Sequence, residues 1–272
     1  MTTQTFDTAR TDRERTTRTV AHTSRIPLRR IVAVELRKAF DTRAGLWLLV
    51  SVGLASLLTT GAVIAWGPDQ DFTYSTFTTT IAFPMSVILP VIAALAVTAE
   101  WTQRSGLTTF TIVPHRGRIM LGKGIGLALV AVPATAVAFG VGAGGNVVAS
   151  WISGNDMVWD HDLVAVPSML LSLTLTLATG LVCGTVIRDS AGAIVAFFVV
   201  SFVIPPLLGL LAMTQDWFHD VRPWVDLDHQ LSALLRGSFD SEQWSQLAAT
   251  TGIWLVLPAV AGLWTLVRSE VK

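Results

Sequence analysis

The sequence predicts an all-α, polytopic membrane protein. Its expected architecture is six transmembrane helices, an N-terminal interfacial amphipathic helix, and short re-entrant outer helices before the last span. Three observations lead there. The first is a set of six charge-free stretches: Leu46–Trp66, Phe72–Ala99, Gly124–Asn155, Leu163–Ile187, Ser190–Gln215 and Gln243–Val267. A hydrocarbon core of about 30 Å is crossed by about 20 mostly apolar helical residues, and a helix satisfies its own backbone where lipid cannot. The second is the distribution of charge. If the connecting segments alternate sides, 17 of the 19 basic residues fall on one side, and only Arg222 and Arg236 on the other. Positive residues favour the cytoplasmic face, so both termini are expected in the cytoplasm of a multi-pass plasma-membrane protein. The third is the placement of tryptophan. Trp47, Trp66, Trp101, Trp151, Trp159, Trp217, Trp224 and Trp244 lie at or just beyond the ends of the stretches, where an amphipathic ring suits the headgroup layer.

Taken in order, residues 1–25 are rich in Thr and Arg, with no apolar run, and read as a disordered cytoplasmic tail rather than a signal peptide. Residues 26–45 differ. Leu28, Ile31, Val32, Leu36, Ala39 and Phe40 recur at three- and four-residue spacing, while Arg29, Arg30, Glu35, Arg37, Lys38 and Arg43 fill the remainder. That pattern predicts an amphipathic helix lying in the inner interface, with Pro27 suited to its first turn. Residues 46–272 form one membrane domain. Its first span ends in a short acidic loop with Asp69 and Asp71. The second contains Pro84 and Pro90, each of which frees a helical carbonyl and favours a kink. Glu100–Arg118 is the longest inner loop; the third span follows it and is glycine-rich. Asp156, Asp160 and Asp162 mark the next outer loop, and spans four and five meet in a tight hairpin at Arg188-Asp189. Thr214–Gln243 mixes Trp217, Phe218, Trp224, Leu227, Leu231 and Leu234 with Asp216, Asp220, Asp226 and Asp228. A solvated loop has no need of so many large apolar groups, so one or two short helices dipping into the outer leaflet are expected.

Several chemistries are disfavoured by position. Gly140, Gly142 and Gly145 spell G-x-G-x-x-G, but a dinucleotide site needs a strand before it and a helix after it; here the glycines lie inside an apolar stretch. Small-residue helix packing accounts for them, with Ala136, Gly140 and Gly144, Gly122 and Gly126, and Gly180 and Gly184 each spaced by four. Histidines 22, 115, 161, 219 and 229 all lie outside the stretches, and Cys183 is the single cysteine. No intramembrane haem ligation, disulfide or cysteine metal cluster fits that inventory. No Asp or Glu stands at mid-depth, where a proton- or sodium-coupled carrier normally keeps one. No catalytic residue, cofactor, metal or nucleic-acid partner is therefore expected.

The informative chemistry is in the inner segments. Glu100, Trp101, Arg104, Gly106, Leu107, Thr108 and Thr109 are followed by Pro114, Arg116, Gly117, Arg118 and Lys123. This run resembles the first cytoplasmic loop of ABC-2 type transporter permeases, especially those of high-GC Gram-positive bacteria. Val34-Glu35-Leu36-Arg37-Lys38 looks like the Glu-x-x-Lys stretch that opens such permeases, and Gly184–Ala191 resembles their fourth-to-fifth span hairpin. The resemblance covers about residues 28–272. It implies a six-span permease domain over 46–272, a dimer with a second permease subunit, and a separate ABC-type ATPase that supplies the work. It also implies ATPase coupling through Glu100, Arg104, Pro114, Arg116 and Arg118. The expected function is the pathway subunit of an exporter, with no ATP hydrolysis of its own. A non-transporting membrane anchor and a secondary carrier are the alternatives.

Overall fold

The computed structural model describes residues 27–41, 43–102, 116–160, 165–236 and 239–268. Those residues are almost entirely helical, with one isolated bridge between Thr73 and Val158. Helix α1 spans Leu28–Asp41, α2 Arg43–Trp66, α3 Tyr74–Thr102, α4 Arg116–Ser153 and α5 Ala165–Ile187. α6 runs as Ser190–Phe198 and Ile204–Thr214, joined by a π-helical turn at Val199–Val203. Two short helices follow, α7 over Asp216–Val225 and α8 over Leu227–Arg236. α9 comprises Ser241–Thr251, a second π turn at Gly252–Val256, and Leu257–Arg268.

Five helices are long and apolar enough to cross a membrane: Tyr74–Ala99, Gly124–Ser153, Val166–Ile187, Ser190–Thr214 and Ser241–Thr265. The remaining predicted span, Leu46–Trp66, lies in α2, whose apolar part among the described residues is the shorter run Val50–Trp66. Leu28, Val32 and Leu36 form the half-buried stripe of α1, while Arg29, Arg30, Ala33, Val34 and Arg37 are exposed. α1 packs along α4 as well as beside α2. Its apolar stripe therefore has protein to lean on, besides any lipid. Residues 1–26, and with them the predicted tail, lie outside the described residues.

The centre of the bundle is α3, packed on α5, α4, α2 and α6. Its large side chains Ile81, Met85 and Leu89 meet Met169, Leu173 and Leu177 from α5 and the small Ala131, Ala134 and Ala138 from α4. Small against large lets the helices interdigitate without voids. The closest approach is at Gly180, where an added Cβ would land on the carbonyl of Pro90; at Gly184 it would sit 3.0 Å from the carbonyl of Ala94. Gly142 and Gly145 on α4 are similarly pressed against Thr78 and Phe77. The four-spaced set Ala136, Gly140 and Gly144 faces outward instead, with nothing within 4 Å of a Cβ at either glycine. That face meets no other described helix of this chain.

Local hydrogen bonds fix the ends. Asp160 reaches back to cap the start of α3, accepting from the backbone N–H of Ser75 at 2.8 Å and from its hydroxyl. The N–H of Tyr74 and the amide of Asn146 both donate to the carbonyl of Val158. At the other end Asp189 caps α6 by accepting from the N–H of Gly192 at 2.8 Å. Arg188, at φ 60°, occupies the left-handed region that makes this hairpin tight. Its guanidinium donates to the hydroxyl of Thr265 at 2.6 Å, tying α9 to the hairpin.

Candidate functional site

A cavity of about 630 Å³ opens between α3, α5 and the π turn of α6, under the short helices α7 and α8. Its position follows from Pro205 and Pro206. Neither has an N–H, so neither can donate an i→i−4 bond to the turn before it, and the N–H of Ile204 bonds the carbonyl of Val199 in the π register. The carbonyl of Ser201 is then left without a helical donor, because residues 205 and 206 are both proline and the N–H of residue 204 is already spent. A widened turn of this kind marks many functional sites.

The walls are hydroxyl-rich. α3 contributes Thr79 and Ser86, and α5 contributes Ser172, Thr176 and Thr179 at helical spacing. Thr79 donates to the carbonyl of Ser75, Ser86 to that of Phe83, Thr176 to that of Ser172 and Thr179 to that of Leu175. These four hydroxyls have thus used their one hydrogen within their own helices, and what remains to them is oxygen lone pairs. Phe83 and Phe202 add an edge-to-face ring pair with centroids 6.4 Å apart.

Charge enters from the short helices. Asp226 separates α7 from α8 and is buried. It accepts from Nε of Arg222 at 2.9 Å and from the N–H of His229 at 3.1 Å, so it both pairs an arginine and caps α8. Arg222 also lies against Gly209 of α6. Asp228, two residues on, lines the cavity and makes no hydrogen bond or ion pair among the described residues. Desolvation pushes its carboxyl above the usual carboxylate range, and the charge of Asp226 pushes the same way against the pull of Arg222. One arginine thus faces two carboxylates.

A second network holds the short helices to α9. Gln230, buried, donates to the carbonyl of Pro223 at 2.8 Å and to Oε1 of Gln246 at 3.0 Å, and Gln246 donates to Glu242. Trp254, in the π turn of α9, donates to the carbonyl of Val225 at 2.7 Å. Leu227, Leu231 and Leu234 pack beside Leu247 and Leu255 in the same region. The acidic and apolar character of this segment is thereby explained. Its leucines are core, Asp226 and Gln230 are paired interior groups, and Asp228 is turned to the cavity.

The residues predicted for coupling lie elsewhere. Glu100 lies in the last turn of α3, and Arg116 and Arg118 open α4; Arg104 and Pro114 lie outside the described residues. Arg29, Arg30, Glu35, Arg37 and Lys38 are on α1. The sequence reading missed the cavity residues as a group, because Phe83, Ser201 and Asp228 converge only through packing. Two signals were present, the Pro205-Pro206 pair in the middle of an apolar run and hydroxyls at 172, 176 and 179 on one helix face.

No family model and no curated protein matches this sequence. Fold and site together define a membrane-embedded protein, helical through its described residues, with a cavity of mixed apolar and hydroxyl-bearing lining beside its membrane-length helices.

Proposed function

We propose that this chain is the membrane-spanning permease subunit of an ABC transporter of the ABC-2 type, working as an exporter. α2 completes six spans, both termini are cytoplasmic, and the chain pairs with a second permease subunit in the plasma membrane. A separate ATPase supplies the energy. The observation that carries this reading is α3. One helix lines the cavity with Thr79, Phe83 and Ser86 and carries Glu100 in its last turn, next to the arginine-bearing loop. From Thr79 to Glu100 is 21 helical steps, or about 32 Å at 1.5 Å per residue, so a push at the loop end moves the cavity wall. The five membrane-length helices carry no charged residue at mid-depth, which supports an external source of work over ion coupling. The resemblance of Glu100–Lys123 and of Gly184–Ala191 to ABC-2 permeases points the same way.

The test is co-purification of an ABC-type ATPase from native membranes, followed by ATP-dependent flux in proteoliposomes. Charge reversal at Arg104 or Arg116 should weaken ATPase association or uncouple hydrolysis from flux, leaving insertion intact, whereas Arg13→Glu in the tail should change neither. Loss of a buried charged contact at such an interface costs about 2–5 kcal/mol. Wild-type association and flux in both loop variants would remove the coupling role. Orientation is checked in a Cys183→Ala background, where single cysteines at Ser105 and Ser241 should label from inside and outside respectively.

A further inference from the structure

We propose that the cavity beneath α7 and α8 binds a lipophilic organic cation; this names the substrate class of the permease reading and rests on it. Four features converge. The Asp228 carboxylate faces the cavity and makes no hydrogen bond or salt bridge among the described residues, while the one cation among the described lining residues, Arg222, is bonded through Nε to buried Asp226 and attracts Asp228 only at longer range. Two carboxylates and one guanidinium leave the site one positive charge short. Thr79, Ser86, Thr176 and Thr179 have all spent their hydrogens on helical carbonyls, so these walls offer acceptors. The π turn and the two prolines leave the Ser201 carbonyl without a helical donor, one acceptor more. The Phe83 and Phe202 rings supply faces that attract a cation directly.

Size selects among cations. About 630 Å³ is the space of a drug-sized molecule, far more than a bare metal ion fills, and the described residues hold no group of three or more metal-ligating side chains. Leu227, Leu231 and Leu235 give the apolar part of the ligand its contact. A partly desolvated carboxylate also gains most from a diffuse, weakly hydrated cation, which loses less on leaving water than a compact ammonium does.

The experiment is equilibrium binding of tetraphenylphosphonium to the purified full-length chain in nanodiscs, with the isosteric anion tetraphenylborate titrated separately. Saturable cation binding is expected, weakened about tenfold or more by Asp228→Asn and retained in Asp228→Glu. Phe83→Ala should weaken it about two- to thirtyfold, the range of a cation–ring contact. Asp216→Asn, on the exposed first turn of α7, should leave it unchanged. Thermal unfolding of each variant shows that the protein remains folded. Unaltered binding in folded Asp228→Asn, or saturable binding of tetraphenylborate as tight as that of the cation, overturns the proposal. No ATPase is needed for this measurement. A failed binding test with an ATPase still co-purifying would reject the cation and leave the permease reading intact, and the opposite result would do the reverse.

Discussion

α5 and α6 are consecutive, joined by a two-residue hairpin, and both are apolar over more than 20 residues, yet they occupy opposite positions in the protein. In the most apolar stretch of α5, 44% of residues are buried against the chain; in that of α6 the share is 11%. The difference lies in side-chain size along one face. α5 presents Gly180 and Gly184 to α3, so the two backbones touch, and Met169, Leu173 and Leu177 fill the space above them. α6 from the last residue of its π turn onward carries Val203, Leu207, Leu210 and Met213, all exposed. In lipid there is no hydrophobic drive between helices, so close packing of small residues decides which helix is held centrally. A uniformly large, apolar surface is equally content against acyl chains or a second protein.

The strongest way to break this comparison is to fill the α3–α5 contact. Gly180→Leu pushes a side chain into the Pro90 backbone, and overpacking of that kind should cost about 3 kcal/mol or more. Gly140→Leu, which has open space, should cost little. Folded yield and reversible unfolding in mixed micelles read both, and equal behaviour would mean that α5 is not held by backbone contact. Next comes truncation of matched leucines. Leu173→Ala empties a buried position on α5 and should cost about 2–5 kcal/mol, whereas Leu207→Ala on α6 should stay within about 0.5 kcal/mol. A large loss at Leu207 would show that something other than lipid is packed on that helix.

The smallest effect is expected at the capped end of α3. Partial desolvation raises the Asp160 carboxyl, but the hydrogen bonds from the Ser75 hydroxyl and N–H and from Thr73 outweigh it, and the group sits below its ordinary value. A depressed carboxylate stabilises the fold above its unfolded value, about pH 3.9, and that contribution is lost as pH falls through the lower folded value. Asp160→Ala should cost about 1 kcal/mol, the worth of an N-cap, with faster amide exchange at Ser75–Phe77. Wild type should show the same loosening on acidification and Asp160→Asn should lack the acid step. A pH step that persists in Asp160→Asn would assign it to another group.

Much of this was written in the sequence. Four of the five membrane-length helices fall inside predicted stretches and the fifth, Ser241–Thr265, starts two residues before the predicted Gln243–Val267; the α5–α6 hairpin forms where Arg188-Asp189 interrupts the apolar run, with the aspartate as cap. The segment after Thr214 carries more large apolar groups than a solvated loop needs, and the short helices α7 and α8 are what forms there. Small-residue spacing was legible only in part. Gly180 and Gly184 meet a neighbouring helix, while Ala136, Gly140 and Gly144, spaced as regularly, meet none. Spacing says that a backbone could approach, not that one is there.

The sequence by itself determined where the chain is helical and which lengths suit a bilayer, because hydropathy and backbone hydrogen bonding are local properties of consecutive residues. Tertiary structure alone decided which apolar helix is central, since α5 and α6 differ in shape complementarity rather than in polarity. It alone also made a site of Phe83, Thr176, Ser201 and Asp228. These residues are up to 145 positions apart in sequence, and each is unremarkable in its own helix. An unpaired carboxylate becomes a binding group only when packing sets acceptor oxygens and aromatic rings around the same space.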